Sequence, residues 1–224
     1  EPLLIWPGKG IIDTTPLWDE DGKAYLVNAW AASRSGMNSV ITLTEMKPDG
    51  TGLIGKPAIV YDGNVEGNHT VEGPKIYKRD GWYYILAPAG GVATGWQIAL
   101  RSRNPFGPYE CKTVMSQGKT DINGPHQGAL VDMPDGKSYF LHFQDKGFMG
   151  RVIHLNPVNW IDGWPIMGNN GEPVPADRKP LSISEPMTPH DSDDFNSHVL
   201  GSQWTWVANY QPLFGFPSSD GYIR

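Results

Sequence analysis

"TVEGPKIYKRDGWYYILAP" runs from Thr70 to Pro88. Two runs rich in aromatic and aliphatic residues flank Asp80-Gly81. Asp-Gly is the strongest short hairpin signal, because a type I′ turn needs positive φ at both central residues. The stretch therefore reads as two antiparallel strands with Arg79-Asp80-Gly81 at the tip. A carboxylate, Glu72, stands just before Gly73-Pro74 at the head of the first strand. A lone glutamate there is ordinarily a solvated cap, so its meaning depends on what recurs elsewhere.

The hairpin recurs. "DEDGKAYLV" begins at Asp19 and "MPDGKSYFL" at Met133, each with Asp-Gly, two further residues, Tyr and two apolar residues. The three Asp-Gly pairs start at 21, 80 and 135, intervals of 59 and 55 residues. A further strand follows each hairpin: "NSVITLTEM" from Asn38, "WQIALRSR" from Trp96 and "GRVIHLNPV" from Gly150. Each alternates apolar and polar positions, as a half-buried strand does. Each ends in a turn, at Pro48-Asp49-Gly50, Asn104-Pro105-Phe106-Gly107 and Asp162-Gly163. A repeat of this kind predicts four-stranded blades of a β-propeller.

Counting back eight residues from each Asp-Gly gives Asp13, Glu72 and Gln127. The third turn reads as one residue longer, so His126 is taken as the third equivalent. Innermost strands of propeller blades start around one axis. Asp13, Glu72 and His126 are thus expected to border one axial cavity. Three ionisable residues at one repeat position are harder to dismiss than any one alone.

Composition sets outer limits. The chain has 224 residues, with 27 Gly, 20 Pro and no long helix-forming run, which favours an all-β fold. A net charge of -6 argues against a nucleic-acid partner. No apolar run is long enough to cross a membrane as a helix. The single Cys111 excludes an internal disulfide. Nine Trp are a weak hint of sugar stacking. Trp30 and Trp96 are candidates for the pocket wall, with core packing as the competing role. His69, shortly before Glu72, is a candidate for the pocket rim. Asp193, Asp194 and Asn196 lack the glycine and distal glutamate of a calcium-binding EF-hand loop.

Five segments together carry a family resemblance. They are "IDTTPLWDEDGKAYL", "EGPKIYKRDGWYYILAPAGG", "RSRNPFGPYE", "DINGPHQGALVDMPDGKSYFLHFQD" and "GRVIHLNPVNWIDGWP". From about residue 11 to 168 the chain resembles glycoside hydrolase family 43. The resemblance implies an inverting β-xylosidase or α-L-arabinofuranosidase on a five-bladed propeller, acting on hemicellulose oligosaccharides. It implies Glu72 as general acid, Asp13 as the carboxylate that orients it and tunes its pKa, and Arg151 as a substrate-binding arginine. It implies that His126 organises, through water, a hydrated axial cation, usually calcium. No organic cofactor is expected.

The chemistry suits these residue types. An inverting glycosidase needs one protonated carboxyl at the leaving oxygen and one carboxylate that activates water, about 6.5–9.5 Å apart. The acid needs a raised pKa, and the neighbouring Asp13 is expected to raise it by like-charge repulsion. The resemblance places the base, an aspartate, in the first blade. Three blades are counted here, in residues 1–167. The first two blades are expected upstream or in another chain.

Residues 168–190 hold five prolines and read as a linker. "DSDDFNSHVLGSQWTWVANYQP", in residues 191–224, resembles the start of the β-sandwich that some members carry. The chain begins at Glu1 rather than Met, and secretion or a periplasmic location is the expectation. A sugar-binding propeller without catalysis is the alternative. It would not need Glu72 paired with Asp13. A protein-interaction propeller, with arbitrary axial residues, is a third reading.

Overall fold

The computed structural model describes residues 9–181, 191–201, 203–206, 211, 213–218 and 220–224. The chain divides into two units, Glu1–Asp177 and Arg178–Arg224. The first is all-β. It holds three four-stranded antiparallel sheets, each built in chain order. The first sheet comprises β1 (Ile11–Trp18), β2 (Ala24–Trp30), β3 (Val40–Met46) and β4 (Leu53–Asp62). The second comprises β5 (Lys75–Arg79), β6 (Trp82–Ala89), β7 (Trp96–Ser102) and β8 (Glu110–Ser116). The third comprises β9 (His126–Asp132), β10 (Ser138–Asp145), β11 (Arg151–Ile161) and β12 (Trp164–Met167). Each expected hairpin is present, and the Asp-Gly pairs sit in the connections between first and second strands.

The second sheet is the middle layer. Ile85, Ala87, Ile98 and Leu100 pack against Val27, Ile41 and Leu43 of the first sheet. On the other face, Leu86, Ala99, Val114 and Met115 pack against Phe140, Val158 and Met167 of the third. Burial on both faces explains why β6 reads as an unbroken apolar run rather than an alternating one. Asp19 ties the first two sheets at their far ends: its buried carboxylate accepts hydrogen bonds from Lys78 Nζ and Tyr83 OH. The second and third sheets are joined by a ladder of cations and rings. Arg103 and Arg101 lie on Trp82, and Arg101 also lies 4.1 Å from the Trp164 ring centroid.

The turn count needs correction. The first and third hairpins have matching connections, closed by Trp18↔Ala24 and Asp132↔Ser138. The second is the short one, closed by Arg79↔Trp82. The backbone gives the true equivalence. Asp13, Gly73 and Gln127 all have positive φ, of 55°, 55° and 44°. The irregularities in β1 and β9 fall at Asp13-Thr14 and Gln127-Gly128. Asp13 therefore corresponds to Gly73 and Gln127, while Glu72 and His126 correspond to each other. The eight-residue count lands on Asp13 and Gln127 but falls one residue short of Gly73, because the second connection is shorter than the other two.

The first unit runs past residue 167. Gly168 N–H donates to Pro157 O, Val174 N–H to Asn156 Oδ1, and Ser116 N–H to Gly171 O. Residues 168–177 of the expected linker thus belong to it. Residues 182–190 lie outside the described residues. In the second unit the described residues show one isolated bridge, Pro217↔Ile223, and no sheet, so the expected sandwich is not visible there. Among the described residues no helix is long and apolar enough to cross a membrane.

Candidate active site

The site forms where the heads of β1, β5 and β9 meet. The segment that delivers Glu72, residues 63–74, is pinned at many points. Gly63 N–H donates to Ser39 O and Thr70 N–H to Ser39 Oγ. Gly90 N–H donates to His69 O, and Glu72 N–H to Pro88 O. Asn68 works as a hub, accepting Trp96 Nε1–H at 2.9 Å and donating to Tyr61 OH at 2.5 Å. A segment so bonded holds its carboxylate in a defined place.

Glu72 Oε1 lies 2.9 Å from His126 Nε2. His126 is fully buried, and its ring sits 5.7 Å from that of Phe143. Arg151, at the head of β11, stacks its guanidinium 4.5 Å from the same Phe143 ring centroid. Asp13 does not face Glu72 as a bare like charge. Its Oδ2 accepts Gly73 N–H at 2.9 Å and Gln127 Nε2–H at 3.3 Å. The structure thus brings Asp13, Glu72, His126 and Arg151 into one cluster and adds Gln127.

The expected rise in the Glu72 pKa is not found. The hydrogen bond with His126 holds the carboxyl below its ordinary range, against an opposing push from burial. The charge of His126, a hydrogen bond from Gln127 and the charge of Arg151 add to the lowering. Hydrogen bonds to the charged form and nearby cations favour ionisation, and here they outweigh desolvation of a half-buried group. Lys75, unforeseen from the sequence, shares the neighbourhood. Burial pushes its amine down, and the charge of Asp13 pulls it back up.

The aromatic candidates separate. Trp30 lines a cleft of about 190 Å³ together with Ile12, Asn38, Ser39, Thr70 and Glu72. Trp96 does not line it: its ring packs on Gly90 and the core between the first two sheets. His69 is exposed, does not line the cleft, and serves the loop through its carbonyl. Gln127 was the residue that the eight-residue count returned first. The assumption of a longer third turn set it aside.

Calcium takes about six to eight oxygen ligands. Among the described residues no group of three or more His, Cys, Asp or Glu side chains gathers to hold a metal. At this site one buried atom, His126 Nδ1, has no hydrogen-bond partner among the described residues. That orphan fits a water, or a cation ligated mainly by water. It does not fit a calcium held directly by protein oxygens.

Three antiparallel sheets with carboxylates, a histidine and an arginine gathered at their heads define the class: an all-β protein with an ionisable cluster at one end of its sheets. The sequence profile of glycosyl hydrolases family 43 matches residues 2–165, and the chain belongs to that family. It is 44% identical over 207 residues to a putative beta-xylosidase of Xylanibacter ruminicola, covering 90% of this chain and 38% of that protein. It is 35% identical to a beta-xylosidase of Formosa agariphila, covering 100% of this chain and 43% of that one. A crystal structure of xylan beta-1,4-xylosidase from Bacillus halodurans superposes with a TM-score of 0.75 at 28% identity. That match covers 90% of this chain and 41% of the solved one. The chain thus spans about four-tenths of the length of these relatives.

Proposed function

We propose that the chain supplies the acid side of the active site of an inverting exo-glycosidase that releases xylose or arabinose from hemicellulose fragments. The observation that carries this is Glu72: a half-buried carboxyl at a cleft beside Trp30, bonded to a buried histidine and within the field of Arg151. A binding module has no need of such an acid. The named relatives favour xylose. In this reading the three sheets are three of five propeller blades, and the base comes from an aspartate outside this sequence. The second unit opens a β-sandwich, a water or a largely hydrated calcium meets His126 Nδ1, and the protein is exported.

The mechanism follows from the residues present. Arg151 and the cleft wall hold the sugar with its glycosidic oxygen toward Glu72. Binding expels water from around the carboxyl, and desolvation raises the pKa of an acid. His126, Gln127 and Arg151 hold Glu72 down, so this rise on binding is what readies the proton. Glu72 then protonates the departing oxygen while the base activates water on the opposite face. Asp13, fixed by Gly73 N–H and Gln127, holds the acid segment in register.

The test uses protein carrying all five blades and an aryl β-xyloside, with an aryl α-L-arabinofuranoside in parallel. Proton NMR follows the first sugar released. Xylose appearing first as the α anomer supports the reading. Retained configuration, or no turnover on either substrate, contradicts it.

A further inference from the structure

We propose that Gln127 is a positioning residue, whose carboxamide locks the Asp13 carboxylate and the Glu72–Gly73 backbone into one fixed arrangement. The proposal rests on the reading of Glu72 as the acid.

Three observations converge on this side chain. Gln127 Nε2 donates to Asp13 Oδ2, the oxygen that also accepts Gly73 N–H. One oxygen thus ties β1 to both the β5 and β9 heads. Next, the Gly73 backbone lies against the carboxamide itself. A Cβ at Gly73 would stand 2.4 Å from Gln127 Oε1 and 2.7 Å from its Cδ, so residue 73 must be glycine for the contact to exist. Finally, Gln127 adopts φ 44° at the point where β9 departs from regular pairing with β10. Positive φ is costly for a residue with a side chain, and such strain persists only when surrounding structure over-determines it. Asp13, at φ 55°, is strained in the same way, and these two strained residues are the pair that the side-chain hydrogen bond joins.

The chemistry explains why an amide stands there. An ionised carboxylate is an acceptor only and needs donors. The amide donates without adding a charge to a cluster that already holds Asp13, Glu72, Lys75 and Arg151. A glutamate would have the same shape but would turn an acceptor toward Asp13. Alanine would leave space beside Gly73 and free both partners. Misplacing a reacting group by about 1 Å costs on the order of 10² in rate.

The experiment makes Gln127→Ala, Gln127→Glu and Gln127→Asn in the catalytically competent protein. Positioning predicts a loss in kcat of about 10- to 100-fold for Gln127→Ala with KM changed less than about twofold. The isosteric Gln127→Glu should lose similarly, and Gln127→Asn should recover part of the rate because it keeps the donor. A KM effect with kcat unchanged would overturn the proposal. Crystal structures of wild type and Gln127→Ala supply a readout independent of activity. Displaced Asp13 and Glu72 carboxyls support the proposal; unmoved ones overturn it whatever the rates. If Glu72→Gln proves fully active, the reading of the acid fails, and the crystallographic comparison still decides the role of Gln127.

Discussion

His126 Nε2 stands 2.9 Å from Glu72 Oε1, while its Nδ1 is buried with no partner among the described residues. The two nitrogens are linked through the ring's tautomer. When Glu72 is ionised, Nε2 donates to it. When Glu72 carries the acid proton, Nε2 accepts and the neutral ring carries its hydrogen on Nδ1 instead. Whatever meets Nδ1 therefore biases the acid. His126→Ala should lower kcat on the order of 10²-fold through loss of this orientation. Steady-state kinetics check it, and a kcat within a few fold of wild type would show that the bond is incidental.

Asp19 predicts a stability effect far from the site. Burial works to raise its pKa, but hydrogen bonds from Lys78, Tyr83 and the Glu20 N–H outweigh burial and lower it. Asp19→Ala strands Lys78 and Tyr83 between two sheets, and should cost about 2–3 kcal/mol. Urea unfolding at pH 7 measures this. A carboxyl whose folded pKa is depressed stabilises above its unfolded pKa and loses that contribution as pH falls. Asp19→Asn should therefore weaken the dependence of stability on pH in the acid range.

His142 adds a second acid-sensitive group at a higher pH. It is buried between β9 and β11, with Asn156 Nδ2 donating to Nε2 at 2.8 Å and His154 stacked at 5.4 Å. Burial pushes its pKa down to about 4 from 6.5. Between those values the unfolded chain binds a proton that the folded one refuses. Stability should therefore fall as pH drops from about 6.5 toward 4, by up to about 3 kcal/mol, and that contribution should level off below. Thermal unfolding at several pH values tests this. His142→Gln should flatten the slope in that window, and an unchanged slope would contradict the assignment.

The third sheet turns an apolar face to solvent. Val131, Leu141, Ile153 and Leu155 are 38%, 36%, 63% and 39% exposed. The register Leu141↔Leu155 puts these two side by side on the same face. Such a face favours association. The 224-residue chain alone should self-associate and should not hydrolyse a nitrophenyl xyloside. Ile153→Lys with Leu155→Lys should make it more monodisperse in light scattering without lowering its melting temperature. A monomeric wild-type chain would contradict this.

The fold was largely legible because its signals are local. Asp-Gly turns and alternating strands place all three sheets, and the spacing of three hairpins brings Asp13, Glu72 and His126 to one place. The finer register was hidden, because the bulges at Asp13-Thr14 and Gln127-Gly128 arise from tertiary pairing. His126 stands in for Gln127 in the sequence reading because the third turn reads as longer, whereas its connection matches the first. Trp96 and Trp30 look alike in sequence, and only packing on Gly90 separates them. The downward direction of the Glu72 shift is not legible, because sequence shows that Asp13 is near but not that its carboxylate accepts from Gly73 N–H and Gln127. Nor does sequence show that His126 is the direct partner.

The central claim is that Glu72 donates the proton to the leaving group. A natural alcohol leaves poorly without it, whereas a dinitrophenolate hardly needs it. General acid catalysis contributes roughly 10²–10⁴-fold, so Glu72→Gln should lose that much on poor leaving groups and little on the best. The measurement is kcat/KM for wild type and Glu72→Gln across aryl xylosides of graded leaving-group pKa. The account predicts a loss that steepens as the leaving-group pKa rises. A uniform loss across the series would mean that Glu72 binds or positions the sugar and is not the acid.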